Sequence, residues 1–229
     1  VASEDVLSEM DLEKMEKEYP WQRLMLTEYG ADANIEHQTE LLGDALNWGS
    51  DFYPETFQTK THEYQWGVIS QHPYILASYL WNMFDFAVPQ WKRGGVDARN
   101  MKGLITFDRK IRKDAFYWYK ANWSKEPVLY LTQRRNTERE RRETSVTVYS
   151  NLGTPRVFLN GRELDGVRKG YTDVHYIFDQ VTLAEGRNVL RAVIVSDGKE
   201  YTDEIVWNYN GENVRQADAY EHKKEHAGW

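Results

Sequence analysis

The 229-residue sequence contains no cysteine, so a disulfide, a thiol nucleophile, an iron–sulfur cluster or a thiolate zinc site is excluded. Excess positive charge is missing too. There are 29 Lys and Arg against 36 Asp and Glu, a formal charge of −7, which argues against the broad basic face that sequence-independent binding to a phosphate backbone needs. No apolar run approaches the roughly 20 residues that span a bilayer. The first 18 residues are acidic, without the basic start and apolar stretch of a secretory leader. Neither nucleic acid nor membrane is expected as a partner. The compartment stays open, because a disulfide-free chain folds in either redox setting.

Aromatic residues are plentiful. The sequence has nine Trp and 15 Tyr, and aromatic residues are dense between positions 48 and 91, among them Trp48, Phe52, Tyr53, Tyr64, Trp66, Tyr79, Trp81, Phe84, Phe86 and Trp91. A ring with an apolar face and a polar rim suits a sugar, whose C–H faces are apolar and whose edges carry hydroxyls. An aromatic-rich core is the plainer reading of the same composition.

The periodicity predicts a helix over residues 3–17, capped by Ser3 and ended by Pro20. A short buried strand, Leu24 to Thr27, then delivers Glu28-Tyr29-Gly30 at its carboxyl end. After an irregular stretch, a helix capped by Thr61 runs to about Ser70, and Ile75 to Trp81 forms a second buried strand, completing a βαβ pattern. A loop with Pro89, Gly94 and Gly95 links Asp85 to Gly103, and a helix follows from Lys113 to Trp123. After Pro127 the segments become short and rich in Val, Ile, Thr and Tyr. Asn160-Gly161 and Asp197-Gly198 between them are hairpin signals, so an immunoglobulin-like β-sandwich is expected over 125–210. Residues 211–229 read as a polar tail. The mixed-sign run from Arg134 to Glu143 reads as a solvated loop or edge. His222 to His226 matches a zinc-peptidase pattern, but no apolar face accompanies it and no metal is expected there.

Glu28 is the first candidate for chemistry, because a carboxylate at the end of a buried strand is held rigidly at the ligand-binding edge of a sheet. An ion-paired or capping role is the alternative. Several ordered blocks sharpen the choice: Thr27-Glu28-Tyr29-Gly30-Ala31-Asp32; Glu63-Tyr64-Gln65; Leu80 to Phe86; Asn100-Met101-Lys102-Gly103 continuing to Lys110; and Lys113-Asp114-Ala115-Phe116. Over about Leu24 to Trp123 the chain resembles the carboxyl-terminal part of glycoside hydrolase family 2, the β-galactosidase and β-glucuronidase group. The following sandwich resembles the extra β-domain of many of its β-galactosidases.

The resemblance implies an α/β plus all-β chain: the last two βα units of a (β/α)8 TIM barrel in residues 1–124, then the sandwich. It implies retaining hydrolysis, with Glu28 as the nucleophile that attacks the anomeric carbon. Trp81 would be the sugar platform, and Tyr64, Asp85, Arg93, Asn100 and Lys102 candidate substrate-binding residues. No cofactor and no metal are implied. The family's acid/base Glu follows an Asn, and no Asn-Glu dipeptide occurs in the sequence. The chain is therefore expected to need the remainder of the parent enzyme, with six further barrel strands, and to be inactive alone. A carbohydrate is the expected substrate, with a terminal β-galactoside placed ahead of a glucuronide held by Asn100 and Lys102. A non-catalytic carbohydrate-binding or scaffolding fragment is the rival outside the enzyme class. A homo-oligomer is neither implied nor excluded.

Overall fold

The computed structural model describes residues 9–42 and 52–214. Helix α1 (Glu9–Glu18) stops two residues before Pro20, which cannot continue it. The expected cap Ser3, Trp48 and the histidines of the 222–226 pattern lie outside the described residues.

Strand β1 (Leu24–Tyr29), helix α2 (Glu55–Gln71) and strand β2 (Ile75–Leu80) make the expected βαβ unit, the strands pairing in parallel with Tyr29 beside Leu80. The strands are not buried on both sides, however. Met25, Leu76 and Tyr79 are more than half exposed, because among the described residues the two strands pair only with each other and α2 covers one face. Helix α2 also starts six residues before Thr61, just after Pro54. Its buried side is polar, with Glu55, Thr56, Gln58, Thr59, His62, Glu63 and Gln65 inside, so apolar periodicity could not mark its first turns.

The expected loop between Asp85 and Gly103 is instead a hairpin of β3 (Phe86–Arg93) and β4 (Val96–Asn100). Gly94 and Gly95 turn it, with φ of 66° and 71°, the left-handed pair that a two-residue hairpin demands. Pro89 argued against a strand. The pairing register shifts between Ala87 and Lys92, and this irregular stretch tolerates a residue without an N–H. Helix α3 (Asp114–Trp123) follows with Ala115 and Trp118 fully buried.

The remaining strands are β5 (Leu129–Leu131), β6 (Glu138–Arg139), β7 (Glu143–Ser150), β8 (Arg156–Leu159), β9 (Arg162–Glu163), β10 (Val167–Lys169), β11 (His175–Thr182), β12 (Gly186–Ser196) and β13 (Lys199–Tyr209). They form a four-stranded sheet in the order β10-β11-β7-β5 and a five-stranded sheet in the order β6-β13-β12-β8-β9. Asn160-Gly161 and Asp197-Gly198 turn β8 into β9 and β12 into β13, all four residues at positive φ, as the dipeptides predict. Leu131, Val148, Phe178, Leu190 and Trp207 fill the space between the sheets. A second core joins Leu26, Tyr29, Ile69 and Trp118 of the βαβ side to Tyr130 and Tyr149 of the four-stranded sheet.

The run from Arg134 to Glu143 corrects the expectation of a solvated loop. Arg139 is fully buried and paired with Glu40; Arg135 reaches both Glu55 and Asp114. Arg134 pairs with Asp203 at 2.6 Å. Burial pushes the Glu55 carboxyl up, but the Arg135 hydrogen bonds and charge hold it below its ordinary range. Asp114 moves the other way, up to about 7, through burial and the nearby Glu55 charge. Arg135 thus ties this run to α2 and α3, Arg139 ties it to the segment after β1, and Arg134 braces it against β13; a charge count could not show that their partners lie elsewhere in the chain.

Candidate active site

Two parallel strands present their carboxyl ends at one edge, and Glu28 and Trp81 both arrive there. Trp81 N–H donates to Tyr29 O at 2.8 Å, locking the strand ends in step. Gly30 makes this approach possible: it sits at φ 139°, and a Cβ there would lie 2.6 Å from Trp81 O. The Glu28 side chain is exposed and makes no hydrogen bond or ion pair with the described residues. Trp81 is 40% exposed and meets Phe86 edge-to-face at 5.8 Å. A carboxylate and an indole thus share one rim, with the carboxylate uncommitted.

The loops beyond the strands are tied together beneath this rim. Asn34 Nδ2 donates to Gly94 O at 2.9 Å, Ala33 N to Met101 O at 3.0 Å, and Met101 N to Asp32 Oδ1 at 3.2 Å. Lys113, wholly buried, donates to Ala33 O, Asp85 Oδ1 and Met101 O at 2.8, 2.9 and 2.9 Å, so one ammonium joins the segments after β1, β2 and β4. Burial pushes Lys113 down and Asp85 up, each opposed by the other's charge.

Asn100 and Lys102 are buried and adjacent, with Lys102 N–H donating to Asn100 Oδ1 at 2.9 Å. Asp32 pairs with Arg93, whose Nη2 is 4.0 Å from Asp32 Oδ2, and also feels the charge of Lys102. Burial pushes Asp32 up, against the charges of Arg93 and Lys102. The Arg93 guanidinium also lies 3.4 Å above the Trp91 ring.

Two candidates stand apart. Asp85 turns inward, its Oδ1 accepting from Gly103 N as well as Lys113, so it holds the loop. Tyr64 is in the middle of α2, not at the helix start, and packs edge-to-face on Tyr171 of the sandwich at 6.0 Å. Sequence reasoning passed over Lys113 and Asp32, although both lie in the blocks that carried the resemblance. It also missed His62, whose imidazole hydrogen-bonds Tyr119 Oη at 2.9 Å beneath Gly30.

Burial, then the charges of Lys113 and Lys102, lowers His62 to about 3. The folded chain keeps His62 neutral while the unfolded chain binds a proton below about pH 6.5. The stability contributed by neutral His62 is present above that pH and is lost on acidification through 6.5 toward 3, by about 1.4 kcal/mol per pH unit. Urea unfolding of wild type and His62→Gln across pH 4–7 checks this: the wild-type slope should be steeper by about that amount.

A family profile described as a domain of unknown function, DUF4982, matches residues 141–202. A beta-glucuronidase of Bacteroides fragilis is 37% identical over 201 residues, 86% of this chain and 28% of that protein. A solved structure described as a "putative beta-galactosidase" from Bacteroides fragilis is 74% identical, with TM-score 0.87 over 90% of this chain and 31% of that one. An FMN-binding beta-glucuronidase from F. prausnitzii L2-6 is 36% identical, with TM-score 0.74 over 90% of this chain and 30% of that one. The relatives are thus β-glucuronidase-like and β-galactosidase-like proteins, and the chain spans under a third of the length of each.

Proposed function

We propose that this chain is the carboxyl-terminal portion of a retaining β-glycosidase of glycoside hydrolase family 2, in which Glu28 is the nucleophile and Trp81 the platform under the sugar. The observation that carries the reading is the uncommitted Glu28 carboxylate brought to the same strand edge as Trp81. In the reaction, the carboxylate attacks the anomeric carbon while an acid from the rest of the parent enzyme protonates the leaving oxygen. Water then releases the sugar, with the two carboxyls about 5 to 5.5 Å apart.

The proposed division is the end of a (β/α)8 barrel in residues 1–124, the sandwich in 125–210 and a tail in 211–229. The half-exposed Met25, Leu76, Tyr79 and Met83 support it: they are the apolar faces that six further strands would cover.

A glucuronide is the substrate we place first, reversing the order reached from sequence. Asn100 and Lys102 lie two residues apart on one buried turn, where the Lys102 backbone N–H donates to Asn100 Oδ1, and an amide with an ammonium suits a sugar carboxylate. A galactoside is the second reading, favoured by the part-buried Asp32, whose charge already interacts with Arg93 and Lys102. Hydrolysis of nitrophenyl β-glucuronide and β-galactoside by the full-length protein separates them. For a glucuronidase, Lys102→Met should lower kcat/KM on the glucuronide by about 10- to 100-fold, the worth of one charged hydrogen bond, and leave the galactoside rate unchanged. Faster turnover of the galactoside, insensitive to Lys102→Met, would sink the uronide reading.

A further inference from the structure

A cavity of about 440 Å³ opens between α2 and the β10–β11 side of the four-stranded sheet, lined by Lys60, Glu63, Arg168, Lys169, Tyr171 and His175 among others. It shares no residue with the Glu28–Trp81 rim, and nothing in the proposed hydrolysis uses it.

Its floor is a rigidly set imidazole. Gly170 leaves room for His175, since a Cβ there would fall 2.2 Å from His175 Nδ1, and Tyr171 N–H donates to that same Nδ1 at 3.2 Å. Burial, with Arg168 and Lys60 nearby, lowers His175 to about 4, so the ring is neutral near pH 7. A neutral ring that accepts at Nδ1 carries its proton on Nε2. The Nε2 atom is buried without a hydrogen-bond partner. Its neighbour Glu63 Oε1, 3.5 Å away, already accepts from the Tyr149 hydroxyl. Glu63 itself is pushed up to about 7 by burial, against Tyr149 and Lys60, so below that pH it offers little opposition to an anion.

The walls add charge and a flat face. Lys60 is exposed and forms no ion pair among the described residues. Arg168 is forked onto Asp179, and Lys169 donates to the Tyr176 hydroxyl at 2.9 Å and lies 3.7 Å from Asp173 Oδ1, so these two cations are held at the rim by their own carboxylates and Lys60 is the lining cation without one among the described residues. The Tyr171 ring is 47% exposed and backed by Gly67 of α2, where a Cβ would lie 2.6 Å from Tyr171 Cβ. A buried unpaired donor calls for an acceptor, an uncommitted lysine beside it for an anion, and a fixed aromatic face for a ring to lie on it.

We infer that this cavity is a second carbohydrate site that binds an acidic sugar, its carboxylate taken by Lys60 and the His175 Nε2–H and its ring laid on Tyr171. This does not rest on the glycosidase reading. Calorimetric titration of the full-length protein with D-glucuronate tests it, beside D-glucose and inorganic phosphate as controls. The expected result is a glucuronate binding event that persists in Lys102→Met and weakens at least about tenfold in Lys60→Gln, with hydrolysis by the Lys60→Gln protein unchanged and glucose not bound. Lys60 is exposed, so its replacement leaves the fold intact. Glucuronate binding that Lys60→Gln leaves untouched, or none at all, overturns the site. Phosphate binding as tight as glucuronate overturns the sugar and leaves a simple oxyanion pocket.

Discussion

Replacing Glu28 with Gln is expected to lower turnover by the full-length protein by at least about 10⁴-fold on whichever β-glycoside it cleaves, with its unfolding midpoint essentially unchanged. The two halves of this expectation have separate causes. Gln is nearly isosteric but carries no charge, so it cannot form the glycosyl ester on which retaining hydrolysis depends. Stability is spared because the carboxylate is exposed and engages none of the described residues. Glu28→Ala supplies a second arm: added azide should enter the vacated face and restore turnover as a glycosyl azide of inverted configuration. A Glu28→Gln protein that keeps more than about one per cent of wild-type kcat would place the nucleophile elsewhere. One that loses activity together with its fold would show that the side chain serves structure.

Lys113→Met is expected to cost about 3–5 kcal/mol of stability, the usual result of removing one partner of a buried ion pair. Methionine fills the space of the stem but offers no donor, leaving the Ala33 and Met101 carbonyls and Asp85 Oδ1 each without one of their bonds. Asp85 would keep only the Gly103 N–H on that oxygen. A charge left there in a low-dielectric setting is costly. Denaturant unfolding checks the loss, and the double variant Lys113→Met/Asp85→Asn should recover part of it, because the stranded charge is then gone. A loss below about 1 kcal/mol, the range of a surface pair, would mean that the three loops are held by their backbone contacts alone.

How legible these features were in the sequence depended on the signal each one used. The βαβ unit and most sandwich strands follow from β-branched runs and Gly-containing turns, which are local. The Asn160-Gly161 and Asp197-Gly198 turns need left-handed backbone at both residues, and few residue pairs supply it. Helix α2 was read short because its first turns are buried through polar side chains. Gln58 reaches Ala31 O at 2.8 Å, Thr59 its own Glu55 O at 2.9 Å, and Glu55 the distant Arg135. Nothing in a hydrophobic pattern marks residues that go inside by finding partners. The β3–β4 hairpin was hidden by Pro89, whose cost the irregular pairing around it absorbs.

By itself the amino-acid order determined the succession of elements, the tight turns and the motif that places a carboxylate at a strand end, because each depends on neighbours a few residues apart. Only the tertiary structure decided which charges go inside. Arg139 and Glu40 are 99 residues apart, Lys113 and Ala33 are 80, and His175 lies far along the chain from Glu63. Whether such a group is a solvated ornament or a buried tie depends on the partner that folding brings to it. That pairing sets the sign of its energy, since an ion in the interior is costly until its counter-charge and hydrogen bonds arrive together.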